Sequence, residues 1–314
     1  MNLAKKFKVL FFFLLINFFY IKNSFSFENK ILFKVNNEII TTIDIYEETR
    51  FLKIFNPEIN NLNESELFEV SKNSILRDKI KKTEILNFVK DLKVDDKFLL
   101  LFIKNKYPKM IINTIENFEN YLRKNDLNVG HIKEKLYIEL IWNDLIFKKF
   151  NKQVIIDKEK IKNEILQNPK KERQRELLLS EITFDVSSKV DFKNKYEKIL
   201  LDIKNLGFKQ TALIHSNSDT ASNGGIIGWV KEDNLNQNIK KNISELDIGE
   251  FTKPIRTSSG FIIIKIEDKK EYLSKFNLDA KMDEVIKFKT NDQLNQFSSM
   301  YFNKIKKNLI IYGL

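Results

Sequence analysis

The 314-residue chain has no cysteine, two histidines, four prolines and eight glycines. Without cysteine there is no disulfide staple, no thiol nucleophile and no thiolate zinc site. The same absence prevents mispairing in an oxidising exported compartment. Two histidines, His131 and His215, are too few for a His-rich metal centre. Both are expected at a surface or edge. Scarce glycine and proline exclude fibrous and low-complexity classes. No P-loop, Rossmann fingerprint, HExxH or EF-hand loop occurs.

What is present is a globular composition, 42% hydrophobic and 31% charged, long enough for two domains. The formal charge is +11, from 54 basic and 43 acidic residues. The lysines are interspersed with acids rather than clustered, and no RNP-type or helix-turn-helix signature accompanies them. That argues against nucleic acid as a partner.

The first 26 residues read as an address. Lys5, Lys6 and Lys8 precede an apolar run over 9–21, and Ser24 and Ser26 suit a cleavage site. This is the pattern of a secretory signal peptide. The run of 13 residues is short of the ~20 that span a bilayer, although an uncleaved anchor stays open. Cleavage after Ser26 removes four lysines and lowers the charge from +11 to +7.

Alternation at Ile31, Phe33 and Val35 predicts a strand, and Asn36-Asn37 a turn. Thr41 or Thr42 is then an N-cap, with Asp44, Glu47 and Glu48 in the early helix. Residues 64–165 read as several helices. Ile115, Phe118 and Leu122 keep one face, as do Ile132, Leu136 and Leu140. In the stretch over 132–150 the charged residues are expected on a solvated face. The polar run QNPKKERQRE (167–176) marks a boundary.

Beyond it the pattern becomes α+β. LLLSEITF is a strand, and Phe192, Tyr196, Ile199, Ile203 and Leu206 trace a helix ending near Gly207. A short helix covers 208–214. Strands at 226–230, 251–257 and 260–267 complete a small antiparallel sheet. A last helix covers about 291–307, with Leu294, Phe297, Tyr301 and Ile305 on one face, before the apolar, strand-like NLIIYGL. KMDEVIKFK (281–289) is compatible with one more strand.

The segments TALIHSNSDTASNGGIIGWV and ISELDIGEFTKPIRTSSGFIIIKIED resemble the core of a parvulin-type peptidyl-prolyl isomerase domain. The opening VNNEIITTID, the helical stretch over 132–150 and the apolar tail resemble SurA-type periplasmic chaperones. The resemblance implies an α+β architecture: a mostly helical lobe with an inserted parvulin-like domain of a four-stranded antiparallel sheet with helices. It divides the chain into a signal peptide (1–26), a helical chaperone domain (27–168), a parvulin-like domain (174–270), and a C-terminal helix and strand (271–314) that pack on the helical lobe.

Rotating an X-Pro amide crosses a barrier of ~18–20 kcal/mol. It needs an apolar slot and polar groups favouring the twisted amide, but no metal or cofactor. The resemblance puts the proline slot on Ile227, Leu235 and Ile239, with Trp229 and Phe261 beside it as peptide-binding residues. Ile239 stands where the family carries Phe. The two family histidines fall on Glu181 and Ile262. A third polar position falls on Asn217 by gapless count or Asp219 with a two-residue shift. Thr257 and Ser259 match hydroxyl-bearing positions that are equally good turn residues. Asp219, Thr257 and Ser259 are therefore the catalytic candidates.

Two functions are implied. One is a periplasmic chaperone that binds unfolded or extended polypeptides, outer-membrane β-barrel proteins among them, with a degenerate or weakly active isomerase domain. The other is an active prolyl isomerase for exported proteins. Both expect no cofactor, no metal, no nucleic acid and no stable membrane span after signal cleavage.

Overall fold

In the computed structural model, residues 29–313 are described, apart from 37, 109, 168–172, 187 and 274–276. The expected signal segment lies outside the described residues. Alternating apolar residues form β1 (Ile31–Val35), which turns through Asn36 into antiparallel β2 (Glu38–Thr41). Thr41 then caps α1 (Thr42–Phe55): its hydroxyl accepts from the Asp44 N–H, and Asp44 accepts from the Thr41 N–H. This reciprocal box satisfies two orphan donors. Asn63 and Glu66 make the same box at α2 (Glu64–Ile85).

The helices α3 (Asp96–Lys106), α4 (Ile115–Lys124), α5 (Val129–Phe150) and α6 (Lys158–Gln167) follow. The periodic residues Phe118, Leu122, Ile132 and Leu136 meet in one core with Phe51. A second core gathers Phe33, Val35 and Ile40 from the strands with Ile80, Trp142 and Phe302. The charged face of α5 is less solvated than expected. Lys135 is largely buried, donating to Glu48 (3.0 Å) and to Asp78, while the Ser74 hydroxyl donates to Glu48 (2.5 Å). Carboxylates from two other helices converge on it, so Lys135 keeps its proton more tightly than usual, their attraction outweighing burial.

The second sheet is antiparallel throughout, in the order β4 (Ile226–Lys231), β3 (Arg173–Phe184), β6 (Gly260–Leu273), β5 (Ile255–Thr257). Phe251, expected inside a strand, makes only an isolated bridge to Lys265. Helices α7 (Lys189–Leu206) and α8 (Phe208–His215) cover one face through Ile182, Phe184, Ile199, Phe208 and Ile263. The short α9 (Gln237–Ile243) borders the other, where Leu179, Leu235, Ile262 and Ile264 pack.

The segment over 281–289 is helical, not a strand. It belongs to α10 (Leu278–Asn308), a helix of 31 residues that starts well before the expected 291. Its apolar positions Val285 and Phe288 recur at helical spacing, continuous with the later face. The tail strand β7 (Ile311–Tyr312) pairs with β1, giving a sheet in the order β2-β1-β7. The architecture is α+β, a helical lobe with the second sheet set between α6 and α10.

Trp142 is fully buried and its indole N–H donates to the Ser298 hydroxyl at 2.8 Å, tying α5 to α10. Trp142→Ala is expected to destabilise the fold by about 3–5 kcal/mol, read as a lower urea midpoint.

Candidate functional site

The sheet register brings Glu181 and Ile262, the two positions where histidine was expected by resemblance, onto one face. Thr183 is opposite Ile262 and Glu181 opposite Ile264 on the central strands β3 and β6. Leu235 and Ile239 join Ile262 in one apolar cluster, so two of the three expected slot residues meet there. Ile227 and Trp229 lie apart from that cluster. They sit on edge strand β4, 39% and 42% exposed, with the Lys270 ammonium 4.1 Å from the centre of the Trp229 ring. Phe261 belongs to the opposite face, against Phe184 and Phe192 with ring centres 5.7 and 4.6 Å away.

The Gly-Gly step shapes the floor of the site. Gly225 holds φ +78°, and a Cβ there would stand 2.2 Å from the Glu181 carbonyl oxygen. The Glu181 N–H donates back to the Gly225 carbonyl at 2.8 Å. Only glycine allows this approach. At the other end, Thr257 and Ser259 build the β5–β6 turn. Their hydroxyls are 3.3 Å apart, and Thr257 donates to the Gly260 carbonyl at 3.3 Å.

Glu181 heads a chain of hydroxyls. Thr220 donates to its Oε1 at 2.8 Å, Ser218 lies 2.7 Å from Thr220, and Ser216 lies 2.9 Å from Ser218. Burial pushes the Glu181 carboxyl up to about 7. Hydrogen bonds from Thr220 and Ser218 oppose this, and the Asp292 and Asp219 charges add to it. Glu181 thus holds or yields a proton near neutrality, but carries no ring.

Asp219 turns away from the peptide face. Its Oδ1 accepts from Lys81 and its Oδ2 from the Ser298 hydroxyl, both at 2.5 Å. Burial alone would raise this carboxyl, but the Lys81 charge and these hydrogen bonds hold it below the usual range. Alongside, Arg77 donates to the Ser216 carbonyl at 2.9 Å. Asn217, the gapless alternative, donates to Asp185 at 2.8 Å. Lys81, Arg77 and Ser298 escaped sequence reasoning because each is over 75 positions from its partner and no local spacing announces it.

His215 corrects the expectation of a surface or edge residue. His215 is largely buried, its Nε2 2.6 Å from Asp202, because α8 folds back along α7. His131 lies 3.0 Å from Glu47. Among the described residues, no group of three or more His, Cys, Asp or Glu is placed to hold a metal ion, and no helix is long and apolar enough to cross a membrane.

Comparison with known proteins falls on this same sheet. The family model described as a rotamase, the PPIC-type PPIASE domain, matches residues 177–268. A protein named Chaperone SurA from Pseudomonas putida is 26% identical over 165 residues, which is 50% of this chain and 39% of that protein. Its namesake from Pseudomonas fluorescens is 41% identical over 63 residues, 20% of this chain and 15% of the relative. Residues 177–268 thus form a PPIC-type domain, and about half of the chain is similar to SurA chaperones. Its match spans about two fifths of the length of the Pseudomonas putida relative. A SurA-like chaperone of Campylobacter jejuni aligns with 91% of this chain and 99% of its own at 18% identity, with a TM-score of 0.35.

Two outcomes follow for this site. The folded value of Glu181 lies above its ordinary one, so its contribution is full below the ordinary range and lost as pH rises through about 7. Wild type is expected to lose up to about 3 kcal/mol across that window, and Glu181→Gln to keep it, by urea melts at about pH 5 and about pH 9. Asp219 is depressed, so its contribution is present at neutral pH and lost as pH falls through the lowered value. Asp219→Asn should cost about 1–3 kcal/mol at neutral pH, and thermal melts should show the difference vanishing in acid.

Proposed function

We propose that this chain is a periplasmic chaperone that holds unfolded, extended polypeptides, outer-membrane β-barrel chains among them, and that its PpiC-type domain has little or no isomerase activity. The chaperone lobe would comprise residues 27–168 and 271–314, with the isomerase-like insert at 174–270 and an export signal at 1–26. The observation that carries the loss of activity is the polar half of the cleft. Glu181 and Ile262 stand where the family resemblance expects two histidines, and the Asp219 carboxylate is taken up by Lys81 and Ser298. Thr257 and Ser259 remain as hydroxyls near the slot, engaged in their own turn. The catalytic candidates Asp219, Thr257 and Ser259 are thus all engaged with partners of their own rather than aimed at a twisted amide.

Holding, in contrast, requires only apolar surface. Helix α3 buries Leu99 and Ile103 yet leaves Phe98 and Leu101 65% and 58% exposed, three residues apart on its outer side. Exposed apolar side chains at helical spacing suit the aromatic-rich, alternating strands of an unfolded barrel protein. Ile227 and Trp229 on the β4 edge extend the same chemistry to a strand edge.

The names of the SurA relatives support the chaperone half, and the PPIC-type match keeps a rival reading, an active isomerase, in view. One set of measurements separates them. Light scattering of a β-barrel protein diluted from urea should be suppressed by the full chain, and roughly a few-fold less by Phe98→Ser/Leu101→Ser. Failure of the wild-type chain to suppress sinks the chaperone reading. A protease-coupled X-Pro tetrapeptide assay should show no acceleration above the spontaneous rate. Clear turnover favours the isomerase.

A further inference from the structure

The face of the PpiC-type sheet that carries the slot is lined along its length by one helix of the same chain. Residues 281, 284, 288, 292 and 296 of α10 recur every three or four positions and so share one side of the helix. Each has a counterpart on the domain opposite. Lys281 Nζ lies 3.7 Å from the Asp233 carboxylate, just before the slot. Glu284 accepts from Lys231 and from the Asn234 amide, the latter at 2.9 Å. Phe288 packs against the apolar cluster that holds Leu235, Ile239 and Ile262. Asp292 is near enough for its charge to act on Glu181. Gln296 accepts from the Ser258 hydroxyl at 2.6 Å, at the tip of the β5–β6 turn.

These contacts start at the residues leading into Leu235 and end at the turn holding Thr257 and Ser259. They therefore bracket the candidate peptide site on both sides, with an apolar ring over its middle. The chemistry fits as well. A slot for a pyrrolidine ring wants a compact apolar insert, and its own wall is short of an aromatic because Ile stands at 239. Phe288 brings a ring to that wall from a residue nearly fifty positions away.

We propose that Phe288, presented by α10, occupies the proline slot of the PpiC-type domain as an intramolecular ligand, so that a peptide reaches Leu235 and Ile239 only in competition with it. A tethered competitor acts at an effective concentration on the order of millimolar, so weak peptides are excluded without any change in the slot itself. This goes beyond the loss of catalytic groups, because occupancy depends on packing and turnover depends on polar side chains.

The test uses the full chain and a fluorescein-labelled Ala-Leu-Pro-Phe peptide, read by polarisation. Wild type should bind it without saturation below about 1 mM. Phe288→Ala should bind at least roughly tenfold tighter, and adding Ile239→Ser should abolish the gain. Glu284→Gln, which loosens the same stretch without opening a cavity, should gain several-fold, and it decides the matter if thermal melts show Phe288→Ala unfolded. Lys287→Ala, on the exposed side of α10, should match wild type. Wild-type binding as tight as that of Phe288→Ala overturns the proposal, as does the absence of any gain in the folded variants. Should Phe288→Ala both bind and isomerise the peptide, occupancy stands and the reading of lost catalysis falls.

Discussion

A carboxylate drawn largely out of water between packed elements must be paired, and Asp219, half-buried, is paired on both oxygens. Lys81, only 4% exposed at its side chain, reaches it from α2, and the Ser298 hydroxyl from α10, while Trp142 on α5 donates to the same serine. Four separate parts of the chain are thereby held at one point. The ammonium also lies 5.3 Å from the centre of the Trp142 ring, so the indole supplies part of its electrostatic environment. With Arg77 on the Ser216 carbonyl, this node fixes how the segment over 216–222 sits against the helical lobe. It also decides what Asp219 is not free to do: a carboxylate neutralised by an ammonium on the lobe side is a docking group.

The consequences run into the cleft. Segment 216–222 carries the hydroxyl chain that ends on Glu181, so the same docking that withdraws Asp219 also buries Glu181 and raises its proton affinity. On the opposite flank, α10 closes over the apolar slot from Lys281 to Gln296. The PpiC-type domain is thus held through both ends of its peptide face. Amide isomerisation needs directed polar groups in a site a peptide can enter. Exposed apolar side chains, in contrast, lie on α3 and on the β4 edge.

How far the chain could be read from its residues depended on the range of the interaction. Local rules worked where the signal is local: the Thr41 cap with Asp44, the buried stripe of Phe118, Leu122, Ile132 and Leu136, and the helix broken at Gly207. They failed where a partner comes from far along the chain. His215 was expected at a surface or edge because Asp202 meets it only when α8 folds onto α7. Lys135 looked solvated because Glu48 and Asp78 converge from other helices. Segment 281–289 kept a strand in play until its side chains were seen to continue the α10 face.

The residue order by itself determined the α+β pattern and the absence of histidine at 181 and 262. Those are matters of side-chain identity and of periodicities of two and of 3.6 residues, written within a few neighbours. Only the tertiary structure decided where Asp219 points, why Glu181 titrates near neutrality, and what covers the slot. Charge pairing, desolvation and occlusion are properties of residues brought together from separate parts of the chain, and each takes effect only once packing has excluded the water between them.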